Sequence, residues 1–222
     1  MIESIELKNI SFAYASEKSV VENLNFKFPL NGWTIFKGGL GSGKSTIIKL
    51  MLGLVTPTQG EIFYNHRNIH EMGFEDFSVY LGNIGHVLEE DGLLANQSLF
   101  ENLELPLMYH KNMSLEDRAA WINIWVKELN LWHAKDLRPA FATAEVRKMF
   151  SILRAIIIRP EMLIMHNPFK YLSETNIERV LKAIHTFEEK FQLKHVIIFG
   201  DDDRLIQMKN AKFFNLVEGK IQ

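Results

Sequence analysis

Residues Gly38-Gly39-Leu40-Gly41-Ser42-Gly43-Lys44-Ser45-Thr46 complete the pattern G-x-x-x-x-G-K-[ST], and their flanks limit what the chain can become. Trp33-Thr34-Ile35-Phe36 before the loop reads as a short buried strand, and Thr46-Ile47-Ile48-Lys49-Leu50-Met51-Leu52 after it as a helix. Glycines let successive backbone N–H groups curl around a phosphate. Lys44 is placed to reach the β- and γ-phosphates of a nucleotide, and the Ser45 hydroxyl to ligate Mg²⁺. The positive end of the following helix points at the same anion. Strand, glycine loop and helix in this order predict a nucleotide-binding α/β domain.

The rest of the chain fits that frame. Ile2 to Lys8 alternates, and with Asn23-Leu24-Asn25-Phe26-Lys27-Phe28 it predicts antiparallel strands joined by a polar hairpin around Ser16-Glu17-Lys18-Ser19. Thr56-Pro57-Thr58-Gln59-Gly60 is a turn into a strand at Glu61-Ile62-Phe63-Tyr64. In the middle third Ser114 and Asp117 mark a helix start, followed by Leu115, Ala119, Ile122, Val126 and Leu129 at helical spacing. Trp121 and Trp125 widen that apolar face and read as core packing. Further helices are predicted from about Ala144 to Ile157 and from Thr175 to Phe191. Met162-Leu163-Ile164-Met165 and His195-Val196-Ile197-Ile198-Phe199 are unbroken apolar runs, the pattern of parallel strands buried on both faces. The expected architecture is a mostly parallel sheet with helices, an antiparallel β part and an inserted helical part.

Bulk properties exclude several classes. A chain of 222 residues suits one α/β domain with an inserted lobe. A net charge of −2 gives no electrostatic case for nucleic acid. With no cysteine there are neither disulfides nor thiolate metal sites. Ile156-Ile157-Ile158 is closed off by Arg159-Pro160, no apolar run is long enough for a membrane span, and no signal peptide is legible. A cytoplasmic location without direct membrane insertion is expected.

The order of elements resembles the nucleotide-binding subunit of ATP-binding-cassette (ABC) transporters over nearly the whole chain. Ser11-Phe12-Ala13-Tyr14 resembles the family's aromatic loop, whose Tyr stacks on adenine. Leu52-Gly53-Leu54 with Pro57-Thr58-Gln59-Gly60-Glu61-Ile62 is similar to its continuation after the phosphate loop. Residues 99–107, Leu99 to Leu107, resemble the coupling region of importer-type and lipid-trafficking cassettes. Arg154-Ala155-Ile156, Pro160 and Met162-Leu163-Ile164 match the helix and strand flanking the signature and the acidic motif. The resemblance implies a P-loop cassette with its core in 1–88 and 158–222 and a helical subdomain at 89–157. It implies ATP and Mg²⁺ as ligands, with Tyr14 and Gly38 through Thr46 on the nucleotide and Ser45 and Glu89 toward the metal. It also implies a transmembrane permease and a second cassette, identical or different, as partners. The chain would then lie on the cytoplasmic face of the inner or plasma membrane.

The departures fall where hydrolysis happens. The signature LSGGQ is replaced by Ala142-Thr143-Ala144-Glu145-Val146, which keeps a hydroxyl in Thr143 but puts a carboxylate where a glycine approaches the triphosphate. The acidic strand end Asp-Glu-Pro reads His166-Asn167-Pro168, so an imidazole stands for the metal-shell aspartate and an amide for the base. The switch histidine maps to Gly200 and the metal-sensing glutamine to Glu89. Binding groups persist and catalytic ones do not. The expectation is a degenerate ATPase with weakened ATP and Mg²⁺ binding and a regulatory or assembly role. Two alternatives stay open: an active transport ATPase using Glu89 or Asp201, and a nucleotide-free scaffold. His166 and His195 are further candidate phosphate donors, and Asp201-Asp202-Asp203 reads as the cap of a following turn.

Overall fold

Burial alternates along Ile5–Phe12 (β1), but the phase slips midway: Ile5 and Leu7 are buried, then Ile10 and Phe12. The slip is a bulge, a register shift between Leu7 and Ile10 where Asn9 sits at φ 52°. This computed structural model describes residues 1–14, 19–110, 113–208 and 210–222. The expected hairpin turn lies, apart from Ser19, outside the described residues.

After β1 the order is Val21–Lys27 (β2), Gly32–Lys37 (β3), Lys44–Met51 (α1), Gln59–Tyr64 (β4), Arg67–Asn68 (β5), Phe74–Leu81 (α2) and Ile84–Val87 (β6). Then come Leu99–His110 (α3), Leu115–Glu128 (α4), Ala144–Ile157 (α5), Met162–His166 (β7), Glu174–Lys190 (α6), His195–Gly200 (β8), Lys212–Val217 (β9) and Lys220–Ile221 (β10). One sheet runs β2-β1-β4-β5 and is antiparallel; the other runs β10-β9-β3-β8-β7-β6, with β3 parallel to both β8 and β9. The fold class read from the sequence is the one observed.

The chain forms two compact units, one of residues 1–83, 164–167 and 194–222, the other of 84–163 and 168–193. In the first unit the apolar strands meet through aromatic rings. Phe36 stacks on Phe199 at 4.6 Å and Phe214 at 5.3 Å, and Phe26 meets Phe36 edge-on at 5.5 Å. Rings in these geometries add to what their burial contributes.

In the second unit α5 is the buried helix, with Met149, Phe150, Ile152, Leu153 and Ile156 at most 1% exposed. Thr143 caps it, its Oγ1 accepting from the Val146 N–H at 3.2 Å. Trp121, half-buried, and Trp125, buried, serve packing, as expected. They pack on Phe187 and Phe191 of the α6 end, the Trp121 Nε1–H donates to Ile157 O, and the Arg159 guanidinium lies 4.1 Å from the Trp121 ring.

Strand β6 approaches α5 so closely that only glycine fits at Gly85: a Cβ there would lie 2.1 Å from Ala155 O. Gly85→Ala is therefore expected to cost about 3 kcal/mol. For a chain this size that lowers Tm by roughly 6–12 °C, checked by thermal unfolding.

Candidate functional site

The phosphate loop belongs to the first unit, at the C-terminal end of β3. Its glycines are needed for distinct reasons. Gly41 and Gly43 have φ of 76° and 98°, which side chains rarely adopt, and a Cβ on Gly38 would lie 2.6 Å from Leu216 O. Gly43 in its left-handed conformation starts α1, so the free N–H groups of the first turn face the loop. Lys44 is 7% exposed and donates to Gly38 O at 2.5 Å and Gly39 O at 2.7 Å. A bound triphosphate would exchange these carbonyls for phosphate oxygens. Gly219 N–H holds Ser42 O at 3.0 Å, and Gly38 N–H reaches Gly200 O at 3.3 Å. Ser45 and Leu40 are exposed, Thr46 is buried, and Tyr14 Oη lies 3.4 Å from Thr46 Oγ1. Tyr14, exposed, has the Lys49 ammonium 5.7 Å from its ring centre.

The neighbouring strand ends carry the rest of the candidate site in this unit. His166 is 4% exposed at the end of β7. Asn167, at φ 46°, donates its N–H to Phe199 O at 2.8 Å. The Asn167 side chain packs against Gly200: a Cβ on that glycine would lie 3.2 Å from Asn167 Oδ1. Asp201 is exposed. Asp202, not the triplet as a whole, is the cap, accepting from Arg204 N–H at 2.9 Å and pairing with the Arg204 guanidinium, while Asp203 pairs with Lys37 at 3.1 Å. The Arg204 partner holds the Asp202 carboxyl below its usual range.

His195 is not at this edge. It opens β8 opposite Gly32, whereas Gly200 at the far end of the strand pairs with Lys37 beside the loop. Five residues of strand, roughly 16 Å, separate it from the phosphate-loop end. Asn31 N–H donates to its Nδ1 at 2.8 Å, so Nε2 carries the proton and donates to Ile2 O at 3.1 Å. The histidine is a structural tie, and the expectation of phosphate donation from it is corrected.

The second unit holds the residues at the signature position. Ala142 is buried, Thr143 is exposed and serves as a cap, and Ala144, Glu145 and Val146 are half-buried in the first turn of α5. Glu145, the carboxylate that stands in place of a glycine, is bonded within this unit. Its Oε1 accepts from Ser173 N–H at 2.8 Å, Ser173 Oγ at 2.7 Å and Asn176 Nδ2 at 2.7 Å, the first turn of α6. One carboxylate thus serves the positive ends of two helices. The bonds from the Ser173 backbone, the Ser173 hydroxyl and Asn176 hold its pKa below the usual carboxylate value.

Because that pKa is depressed on folding, the stabilisation is complete above the unfolded value of about 4.3 and is lost as pH falls through the folded one. Glu145→Gln is expected to flatten the acid limb of stability against pH, measured by thermal melts at pH 2–7.

Glu89, expected toward the metal, pairs with Lys170 at 3.3 Å. Lys170, Arg147, Lys148 and Asp91 are residues that sequence reasoning missed. Lys148 is fully buried on α5, and its only sequence signal is a lysine directly before Met149 and Phe150 on a strongly amphipathic helix.

The left-handed glycines and the buried Lys44 fit a nucleotide's phosphates. Mg²⁺ prefers oxygen ligands, so Ser45 suits it and the His166 imidazole does not. A sequence model of the family described as ABC transporter matches residues 21–170. The chain belongs to the ABC transporter family. Within that family it is an ATP-binding cassette. It is 27% identical to the cell division ATP-binding protein FtsE of Haemophilus influenzae, over 98% of this chain and 99% of that protein. To the intermembrane phospholipid transport system ATP-binding protein MlaF of the same organism it is 22% identical, over 94% of this chain and 79% of the relative. A dimeric ATP-binding cassette solved with ADP and phosphate in a post-hydrolysis state superposes with TM-score 0.86 at 22% identity, covering 98% of this chain and 96% of that one. That likeness establishes the cassette fold. Among the described residues no helix is long and apolar enough to cross a membrane.

Proposed function

We propose that this cassette is the ATP-binding subunit of a membrane transport complex that binds ATP but hydrolyses it weakly or not at all, and that it acts by assembly or regulation. One contrast carries the reading. The phosphate loop keeps its left-handed glycines and buried Lys44, while the strand that should end in two carboxylates ends in His166 and Asn167. An amide cannot accept the proton of an attacking water. When bound, Mg²⁺ would supply positive charge that neutralises the phosphate oxygens. In this chain Ser45 is the loop oxygen offered to it, so metal and nucleotide bind more weakly than in a cassette with the aspartate.

Magnitude decides what these losses mean. Removing one preorganised stabilising group costs about 100- to 1000-fold in rate, roughly 3 kcal/mol. Several together do not add simply, yet little catalysis above background remains. The unorthodox-residue reading is less favoured, because the Glu89 carboxylate is engaged by Lys170 and Asp201 is solvent-exposed.

The partners of the reading are a permease, docking near residues 89–106, and a second cassette. The relative named for phospholipid transport and the dimeric cassette structure support these partners by likeness. The complex would place the chain on the cytoplasmic face of its membrane.

Calorimetry with purified chain is expected to give micromolar MgATP affinity, with negligible phosphate release in a parallel assay. No heat and no thermal shift with nucleotide would install the scaffold reading. Turnover at ordinary transporter rates that Lys44→Ala abolishes would install the active one.

A further inference from the structure

Three stretches of the second unit are each tied to the other two. The segment 88–92, which carries Glu89, is gripped by one face of α5. Lys148 Nζ donates to Leu88 O at 3.3 Å and Glu89 O at 2.9 Å and lies 3.3 Å from Asp91 Oδ1. Arg147 Nε meets the other Asp91 oxygen at 3.1 Å, Ser151 Oγ donates to Asp91 O at 2.8 Å, and Arg154 donates to Gly92 O at 2.6 Å. The first turn of α5 is tied to the start of α6 by the three bonds of Glu145. The loop 168–173 closes the ring through Lys170 and Glu89.

Two features indicate that the ring is stiff. Lys148 has no solvent exposure, and a buried ammonium holds its carboxylate and carbonyl partners because losing them leaves the charge unpaired. Tyr171 sits at φ 72°, a conformation a bulky residue keeps only where its surroundings fix it. A cavity of about 450 Å³ is lined by Glu89, Asp91, Arg147, Lys170 and Tyr171, members of the same ring.

We propose that Glu145 and Asp91 are positioning residues that join the turn 142–145, the segment 88–92 and the loop 168–173 into one mechanical body. Displacing any one of the three displaces the other two. Glu145 replaces the glycine of an anion-receiving turn with a fixed link, so a push on the Glu89 segment reaches the signature position through α5. That use of the coupling rests on the proposed function, in which 88–92 adjoins a permease and 142–145 a second cassette. The coupling itself is measured without nucleotide, so its failure is separate from a failure to bind ATP.

Hydrogen–deuterium exchange on the full chain, normalised to amides of β3 and β8, tests it. In Glu145→Ala, amides at 88–92 should exchange about tenfold faster, although the bonds of Glu145 run to α6. Glu145→Gln keeps an acceptor oxygen and should restore most of the protection. In Asp91→Asn, amides at 171–176 should loosen in the same way. If that variant does not fold, Lys170→Met supplies the arm, with faster exchange expected at 142–147. The proposal is overturned if each variant loosens only the segments its own bonds touch.

Discussion

Replacing Lys44 with alanine is expected to weaken MgATP binding at least about 100-fold, since hydrogen bonds to a charged group are worth about 1.5–3 kcal/mol each and this ammonium serves two phosphates. Melting temperature should change far less. In the free chain Lys44 donates to Gly38 O and Gly39 O, both within the loop itself, and its loss leaves the aromatic core of the first unit untouched. Calorimetry and a melt on the same sample separate the two. A large drop in Tm with unchanged affinity would mean that Lys44 is a loop strut and not a phosphate ligand.

Restoring both carboxylates, His166→Asp with Asn167→Glu, is expected to raise phosphate release at least about 100-fold over the parent chain, the scale of a single regained stabilising group. The gain should stop short of a complete cassette, because Glu145 remains at the signature position and Gly200 remains without a side chain. The variant also has a built-in cost. Residue 167 sits at φ 46°, which costs glutamate more than asparagine, so about 1–2 kcal/mol of stability is lost. A double variant that folds, binds ATP and stays at the parent rate would show that the acidic strand end is not what limits hydrolysis. A parent chain already as fast as the double variant would remove the premise.

Local chemistry made much of this fold legible. The strand–loop–helix order around Gly38 to Thr46, the helix start at Ser114 and Asp117 and the apolar runs at β7 and β8 all depend on neighbours in sequence, and they appear where their residues place them. The bulge at Asn9 was hidden, because it shifts register without any marker beyond one asparagine. The site was legible as a list of positions and not as a set of contacts. Nothing near Glu145 announces that Ser173 and Asn176 receive its carboxylate, and Glu89 and Lys170 stand 81 positions apart. His195 was misread for a related reason. The end of the sheet at which a strand residue lies follows from strand direction and pairing, which one sequence does not display. Charged residues drawn into the interior, such as Lys148, are the least visible, since composition treats a buried ammonium and a solvated one alike.

This chain is expected to hold ATP and leave it whole. Labelled MgATP should be brought to equilibrium with the chain at concentrations well above the micromolar Kd, bound label counted by equilibrium dialysis without removing free nucleotide, and the nucleotide on the protein side then identified. About one nucleotide per chain, recovered as ATP after many minutes, is the predicted result. Bound label recovered as ADP, with conversion lost in Lys44→Ala, or no bound label at all, would contradict it.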